Sequence, residues 1–130
     1  MSILQIMRRA SALLLAAAIV IPAGAAETAY VQQKFDAAVA AGQPVIVHFA
    51  ADWCPTCQAQ KPVASALLKE PRFAAVTLFR ADFDTEKALE ARLGVTQQST
   101  YVVFKGGKEV ARSTAKIERE TLSTLFAQAL

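Results

Sequence analysis

The sequence has few side chains suited to metal binding or nucleophilic chemistry. It contains one histidine, His48, and two cysteines, Cys54 and Cys57. A closed zinc site takes four ligands, and His48 is the only soft ligand available to join the two thiols. A cysteine pair also binds soft metals by itself, so a metal-binding module remains an alternative function. The reactive chemistry of the chain is therefore concentrated in one short stretch.

Clusters of positive charge are missing from most of the chain. There are 14 basic and 11 acidic residues, but Arg8 and Arg9 lie in an N-terminal segment that we expect to be removed. The remaining charges nearly cancel, with a net charge of about +1. No Lys/Arg cluster is left of the kind that binds nucleic acid or a membrane surface. The chain is long enough for one domain, and it contains no repeat, low-complexity tract or internal linker.

The one long apolar run lies near the N terminus. Arg8 and Arg9 precede an apolar run from Ala10 to Ile21, and small residues follow at 23–26. A positive start, an apolar run and small residues at the end are the three parts of a secretory signal peptide. An uncleaved membrane anchor is the alternative, but the run is shorter than the roughly 20 residues that a membrane-spanning helix needs.

We therefore predict a signal peptide over residues 1–26 and a single domain over residues 27–130. Cleavage after Ala25 and cleavage after Ala26 both satisfy the pattern, and we favour Ala26. Removal of such a leader predicts a protein of the periplasm, which is an oxidising compartment.

Helical and strand patterns alternate along the rest of the chain. The predicted helices cover 29–41, 58–69, 86–93 and the residues from 116 onward. The last of them has Ile117 on its apolar face. The predicted strands cover 45–49, 76–81, 101–104 and 109–112. Thr28 is a candidate cap for the first helix, and Gly106-Gly107 is typical of a hairpin turn. The alternation favours parallel pairing with right-handed crossovers, and the hairpin adds an antiparallel edge. The prediction is an α/β fold with a four-stranded mixed sheet and helices on both faces.

The stretch that contains the two cysteines, residues 50–57, follows a buried strand and leads into the second helix. Unpaired N–H groups and the helix dipole favour an anion at a helix start, so this position should lower the pKa of Cys54. Pro55 has no N–H, but Thr56 and Cys57 can donate theirs to the Cys54 sulfur. A disulfide across two residues closes too short a loop to add much stability, which makes an inert bridge a poor explanation. The spacing indicates a redox-active dithiol.

These features together resemble the thioredoxin family of thiol:disulfide oxidoreductases. The resemblance is carried by the run Val47–Cys57, by Pro62 in the following helix, and by the loop, strand and hairpin of Gly94–Gly107. It implies a thioredoxin fold, here without the usual first edge strand, because too few residues precede the first helix. It also implies no cofactor, protein thiols and disulfides as substrates, and a monomer.

The family resemblance assigns different tasks to the two cysteines. Cys54 is expected to be the exposed nucleophile that forms a mixed disulfide, and Cys57 the more buried thiol that resolves it. The run Ala51-Asp52-Trp53-Cys54 also resembles the periplasmic domain of a membrane electron transporter. This favours a reductant supplied with electrons by an inner-membrane partner. A redox-silent domain that only binds a partner is a further alternative.

His48 stands where thioredoxins carry a buried acid that exchanges a proton with the resolving cysteine. A neutral imidazole with a pKa near 6.5 suits the same task, so His48 is a candidate proton acceptor. The alternative is a hydrogen-bonded histidine with a structural role only. Arg80 either lies beside His48 and disfavours its charged form, or pairs with Asp82 or Asp84.

Ser99 stands where the family has a proline with a cis peptide bond. A cis bond before a non-proline residue costs about 3–4 kcal/mol, so the Gln98–Ser99 bond should be trans. The Ser99 hydroxyl is a candidate donor to the Cys54 thiolate, or else belongs to an ordinary loop. Ser99, the adjacent Thr100 and the amphipathic Trp53 are the candidate substrate-binding residues.

Overall fold

The computed structural model describes residues 25–130. The predicted signal peptide of residues 1–26 therefore lies outside the described residues, apart from its last two. Among residues 25–130, no helix combines the length and the apolar character that crossing a membrane requires.

Five strands and four α-helices follow one another within residues 25–130. They are β1 (Ala26–Ala29), α1 (Gln32–Ala40), β2 (Val45–Ala50), α2 (Pro55–Leu68), β3 (Thr77–Asp82), α3 (Lys87–Leu93), β4 (Thr100–Lys105), β5 (Lys108–Thr114) and α4 (Arg119–Ala127). The strands form one sheet in the order β1-β3-β2-β4-β5. Strand β3 pairs in parallel with β1 and β2, whereas β4 pairs antiparallel with β2 and β5.

The prediction of a four-stranded sheet that lacks the first edge strand is wrong. Residues Ala26–Ala29 form β1, which pairs with β3 from Ala26 opposite Thr77 to Ala29 opposite Arg80. These four residues contain no β-branched apolar side chain that would indicate a strand. Pairing with β3 satisfies the backbone groups on one side of this edge strand, and that partner lies far away in the sequence.

The first and last helices begin later than predicted. Thr28 belongs to β1 and caps no helix, and α1 instead follows Val31, which makes no side-chain cap. Helix α4 begins at Arg119, so Ile117 precedes it and is 42% exposed instead of packing on an apolar face.

The core lies in two layers, one on each face of the sheet. All six residues of β2 are buried, as its continuous apolar pattern predicts for a central strand. Val45, Val47 and Phe49 face α1 and α3, where they join Phe35 and Leu89. The side chains between them point to the opposite face, because successive residues of a strand alternate. Ile46 packs there against α2 and α4, and His48 shares that face.

Candidate active site

Cys54 caps the N terminus of α2. Its backbone is extended, with φ −86° and ψ 112°, and its Sγ accepts a hydrogen bond of 3.1 Å from the Cys57 N–H. Pro55 takes the first helical position, where its missing N–H leaves no hydrogen bond unmade. The predicted helix start at the dithiol is therefore present, and Cys57 lies one turn further along.

Both cysteines are free thiols, and both are buried. The exposed fractions are 1% for Cys54 and 4% for Cys57. The expectation of an exposed Cys54 beside a more buried Cys57 does not describe this structure. The Ser99 hydroxyl oxygen lies 3.1 Å from each sulfur, and the two cysteines also cluster with the buried residues Ala50 and Ala51.

The loop before β4 places Ser99 over the dithiol. The Gln98–Ser99 peptide bond is trans, as expected, and Ser99 takes the left-handed conformation with φ 62°. Its N–H donates to the Phe49 carbonyl at 2.8 Å, and its carbonyl accepts from the Ala115 N–H at 3.0 Å. Bonds to β2 on one side and to the end of β5 on the other therefore hold the hydroxyl against the sulfurs.

The pKa values of the two thiols shift in opposite directions. Burial by itself raises the pKa of Cys54, but donation from the Cys57 thiol, the Ser99 hydroxyl and the N–H groups of Cys57 and Thr56 outweighs burial and lowers it. Burial raises the pKa of Cys57, and its hydrogen bond to the Cys54 sulfur acts in the same direction. The arrangement favours a thiolate at Cys54 and a protonated thiol at Cys57.

His48 is a buried residue of β2 that contacts side chains from two other elements. Its Nε2 lies 2.8 Å from Gln60 Oε1 on α2. Its ring stacks on that of Tyr101 in β4, and the register places Arg80 of β3 on its other side. Burial lowers the pKa of His48 to about 4; the hydrogen bond to Gln60 opposes this shift and the charge of Arg80 adds to it. The imidazole is neutral at pH 7, as expected, but it is a weaker base than the sequence suggested.

Arg80 makes a different ion pair from the ones predicted. Its guanidinium donates to Asp52 Oδ1 at 2.9 Å, and not to Asp82 or Asp84. The loop after β2 carries Asp52 back over β3, where the Arg80 side chain reaches it. Arg80 thus lies beside His48 and next to the dithiol motif at once.

The remaining candidate residues differ in accessibility. Trp53 is 59% exposed, and its indole N–H donates to Asp84 Oδ2 at 2.8 Å. Thr100 is buried, and its hydroxyl is 2.8 Å both from the Gln97 carbonyl and from Thr114 Oγ1. Trp53 therefore offers an apolar surface beside Cys54, whereas the Thr100 side chain is used inside the protein.

A polar cavity of about 120 Å³ lies between Cys57 and His48. Its walls include Cys57, His48, Arg80 and Lys61. The volume is sufficient for water, and water needs polar partners of this kind to occupy a cavity. Within residues 25–130, this site included, no group of three or more His, Cys, Asp or Glu side chains is arranged to hold a metal ion.

Sequence reasoning did not single out Gln60, which the structure places at the centre of the site. Its side chain is fully buried and contacts His48, the Ser99 loop and the segment after β5. A polar residue one turn beyond Cys57 is typical of the solvent-exposed face of an amphipathic helix. Only its position three residues after a buried cysteine, on the same helix face, hinted at burial.

Comparisons with known proteins agree on one family. The thioredoxin family model matches residues 27–128. Thioredoxin of Chlamydia muridarum is 34% identical over 97 residues, which cover 75% of this chain and 92% of that protein. An H-type thioredoxin of Fagopyrum esculentum is 30% identical over 97 residues, covering 75% and 82% of the two chains.

Solved structures agree with this result. The crystal structure of Trxlp from Edwardsiella tarda EIB202 superposes with a TM-score of 0.76 at 35% identity, over 78% of this chain and 98% of that one. A mutant thioredoxin from Halobacterium salinarum NRC-1 has a TM-score of 0.70 at 24% identity, over 82% and 93%. The second likeness supports the fold alone.

Proposed function

Because this chain belongs to the thioredoxin family of thiol:disulfide oxidoreductases, we propose that it is an exported enzyme that reduces disulfide bonds of other proteins in the periplasm. The main support for thiol chemistry is that the pKa values of Cys54 and Cys57, two neighbouring thiols, shift in opposite directions. One sulfur is stabilised as a thiolate at a helix start, and the other is held protonated within hydrogen-bond reach of it.

The proposed reaction uses the two sulfurs in turn. The Cys54 thiolate attacks a substrate disulfide, forms a mixed disulfide and releases the first substrate sulfur as a thiolate. Cys57 then loses its proton and attacks the Cys54 sulfur, which forms the Cys54–Cys57 disulfide and releases the second substrate sulfur. Two electrons pass from the enzyme to the substrate.

His48 is the proposed acceptor of the Cys57 proton. It is neutral near pH 7, and it borders the same polar cavity as Cys57. Its low pKa makes it a transient acceptor that passes the proton on through that cavity, because a weak base does not retain a proton at pH 7.

Trp53 and the Ser99 loop form the proposed substrate-binding surface. The exposed indole lies next to Cys54 in the sequence, and the Ser99 hydroxyl contacts Cys54 itself. A partner that reaches Cys54 must therefore displace or accommodate the Ser99 side chain. Thr100 is buried and its hydroxyl is engaged internally, so its proposed contribution is to support the Ser99 loop from below.

Export rests on the N-terminal pattern of residues 1–26. Cleavage after Ala26, the site favoured by the sequence, would remove the first residue of β1, whereas cleavage after Ala25 would leave β1 whole. N-terminal sequencing of the protein from a periplasmic extract identifies the cleavage site. Recovery of the full-length chain in the membrane fraction would support the anchored form instead.

The direction of electron flow is proposed as reduction, by a monomer that receives electrons from an inner-membrane partner. The support is the Ala51–Cys54 run, together with the thioredoxin relatives. Equilibration of the dithiol with glutathione measures its reduction potential. A value near that of thioredoxin, about −270 mV, supports a reductant, whereas one near −120 mV would indicate an oxidant.

Trapping identifies the substrates. In Cys57→Ala the mixed disulfide at Cys54 cannot be resolved, so partner proteins should stay covalently attached during purification. The matched control is Cys54→Ala, which keeps Cys57 and should trap nothing. Equal capture by both variants, or no reduction of insulin by the wild-type protein, would contradict the proposal and favour a binding domain without redox activity.

A further inference from the structure

Gln60 connects the proposed proton acceptor to the loop that covers the dithiol. Its side chain is 0% exposed. Oε1 lies 2.8 Å from His48 Nε2, and Nε2 donates to the Ser99 carbonyl at 3.1 Å and to the Lys116 carbonyl at 2.9 Å. One amide thus contacts a strand residue and two loops that are distant from it in the sequence.

The directions of these hydrogen bonds follow from their partners. The carbonyls of Ser99 and Lys116 accept only, so both must face the NH₂ group of Gln60. Turning the amide over would place its oxygen against two other oxygens, which excludes the flipped orientation. Gln60 Oε1 therefore faces His48, and Nε2 of the imidazole must carry the proton. In the neutral ring, Nδ1 is then the nitrogen with a free electron pair.

The two loops that Gln60 contacts are both in an unfavourable backbone conformation. Ser99 and Ala115 are non-glycine residues with φ 62°, in the left-handed region. They are bonded to each other, since the Ala115 N–H donates to the Ser99 carbonyl at 3.0 Å. Such conformations persist only where surrounding groups hold them. Gln60 supplies part of that support, through the Ser99 carbonyl and through Lys116, the neighbour of Ala115.

We propose that Gln60 is a positioning residue for the thiol chemistry. It holds the Ser99 hydroxyl between the two sulfurs, and it keeps His48 in the tautomer whose Nδ1 can accept a proton. The hydrogen bonds of the Gln60 amide go to His48, Ser99 and Lys116, and not to either sulfur. Gln60 acts on Cys54 through Ser99, and on the proton transfer through His48. The inference rests on the proposed function for its role in exchange, but the hydrogen-bond arrangement is testable in the absence of any substrate.

The alternative is that Gln60 only stabilises the fold. Removal of a buried amide would then lower stability and leave the thiols unchanged. The two roles can be separated by measuring the Cys54 thiolate with and without the Ser99 hydroxyl. If Gln60 acts on Cys54 through Ser99, the effects of the two substitutions are not additive.

The test compares Gln60→Leu in the wild-type and Ser99→Ala backgrounds. The readout is the Cys54 thiolate fraction, measured from the pH dependence of iodoacetamide alkylation. In the wild-type background, Gln60→Leu should lower the thiolate fraction at neutral pH by about threefold to tenfold, since a rise of one pKa unit is about tenfold. In the Ser99→Ala background the same substitution should change it by less than about twofold. Gln33→Leu, at an exposed glutamine of α1, is the control and should leave the titration unchanged.

Two results would overturn the proposal. One is an unchanged Cys54 titration in folded Gln60→Leu, and the other is an equal shift in both backgrounds. If Gln60→Leu does not fold, ¹⁵N NMR of the His48 ring in the wild-type protein provides the decisive measurement. A proton on Nε2 with Nδ1 bare supports the arrangement, and the opposite tautomer contradicts it. Failure of the wild-type protein to reduce insulin would remove the proposed function but would leave these readouts interpretable.

Discussion

The imidazole of His48 lies flat against the phenol ring of Tyr101, with ring centroids 4.1 Å apart and planes inclined by 13°. The two residues face each other across the antiparallel pair of β2 and β4. Tyr101 is itself fully buried, and within residues 25–130 its hydroxyl has no hydrogen-bond partner. The stack removes water from one face of the imidazole and so adds to the burial that makes charging His48 costly in the folded protein.

The low pKa of His48 predicts a loss of stability in acid. The unfolded chain binds a proton at His48 near pH 6.5, whereas the folded protein binds it only near pH 4. Between these values the unfolded state holds more protons, so the free energy of unfolding should fall as the pH drops from 6.5 to 4. The contribution is roughly 3 kcal/mol, and urea titrations across this range measure it.

The matched control for this effect is His48→Gln, whose amide nitrogen can still donate to Gln60 but does not titrate. Its unfolding free energy should depend less steeply on pH between 4 and 6.5. Parallel pH profiles for the two proteins would show that His48 is not the group responsible.

Replacement of His48 should slow resolution of the mixed disulfide. His48→Ala removes the proposed acceptor of the Cys57 proton, and we expect insulin reduction at pH 7 to slow by roughly tenfold while the domain stays folded. Alkylation of Cys54 should be nearly unaffected, since that step does not need the Cys57 proton to leave. Rates that match the wild type from pH 5 to 9 would leave His48 with a structural role only.

Removal of the Ser99 hydroxyl should weaken the Cys54 thiolate. In Ser99→Ala the sulfur loses a donor, and the pKa of Cys54 should rise by about one unit. The reduced form is destabilised by up to the same amount, so the reduction potential should fall by up to about 30 mV, measured against glutathione. Thr100→Val removes a neighbouring hydroxyl that contacts no sulfur and should change neither quantity. Equal effects of the two substitutions would point to general disturbance of the loop.

Substitution of Ala115 should change the stability of the protein without changing the pKa of Cys54. The left-handed conformation of Ala115 costs a non-glycine residue about 1–2 kcal/mol, partly offset by the greater freedom of glycine in the unfolded chain. Ala115→Gly should therefore stabilise the protein by about 0.5–1 kcal/mol, visible as a rise in Tm of a few degrees. The N–H that bonds Ser99 is retained, so the pKa of Cys54 should not move. A lower Tm would mean that the Ala115 side chain contributes to packing.

Much of the fold follows from local patterns in the sequence. The buried strand β2 is a continuous apolar run, and the turn between β4 and β5 is marked by Gly106-Gly107, which both have positive φ. The helix start at Cys54 follows from the strand before it and from Pro55. Strand β1 could not be recognised in this way, because residues 26–29 are small or polar and their partner begins at Thr77.

The dithiol was also recognisable, but the contacts around it were not. The burial of Gln60 depends on three segments that meet only in the folded chain. The partner of Arg80 depends on where the loop after β2 carries Asp52. The pKa of His48 depends on its burial, to which the Tyr101 ring that the β2–β4 register places over it contributes. Each of these is a tertiary effect with no pattern of its own in the sequence.

Trp53 is the only tryptophan in the chain and the immediate neighbour of Cys54. Its indole is half in solvent, and the hydrogen bond to Asp84 fixes its orientation. The intrinsic fluorescence of this protein therefore comes largely from one fluorophore at the redox centre. Stopped-flow emission can follow the dithiol in unlabelled protein, so that the forward and reverse exchange rates become measurable separately.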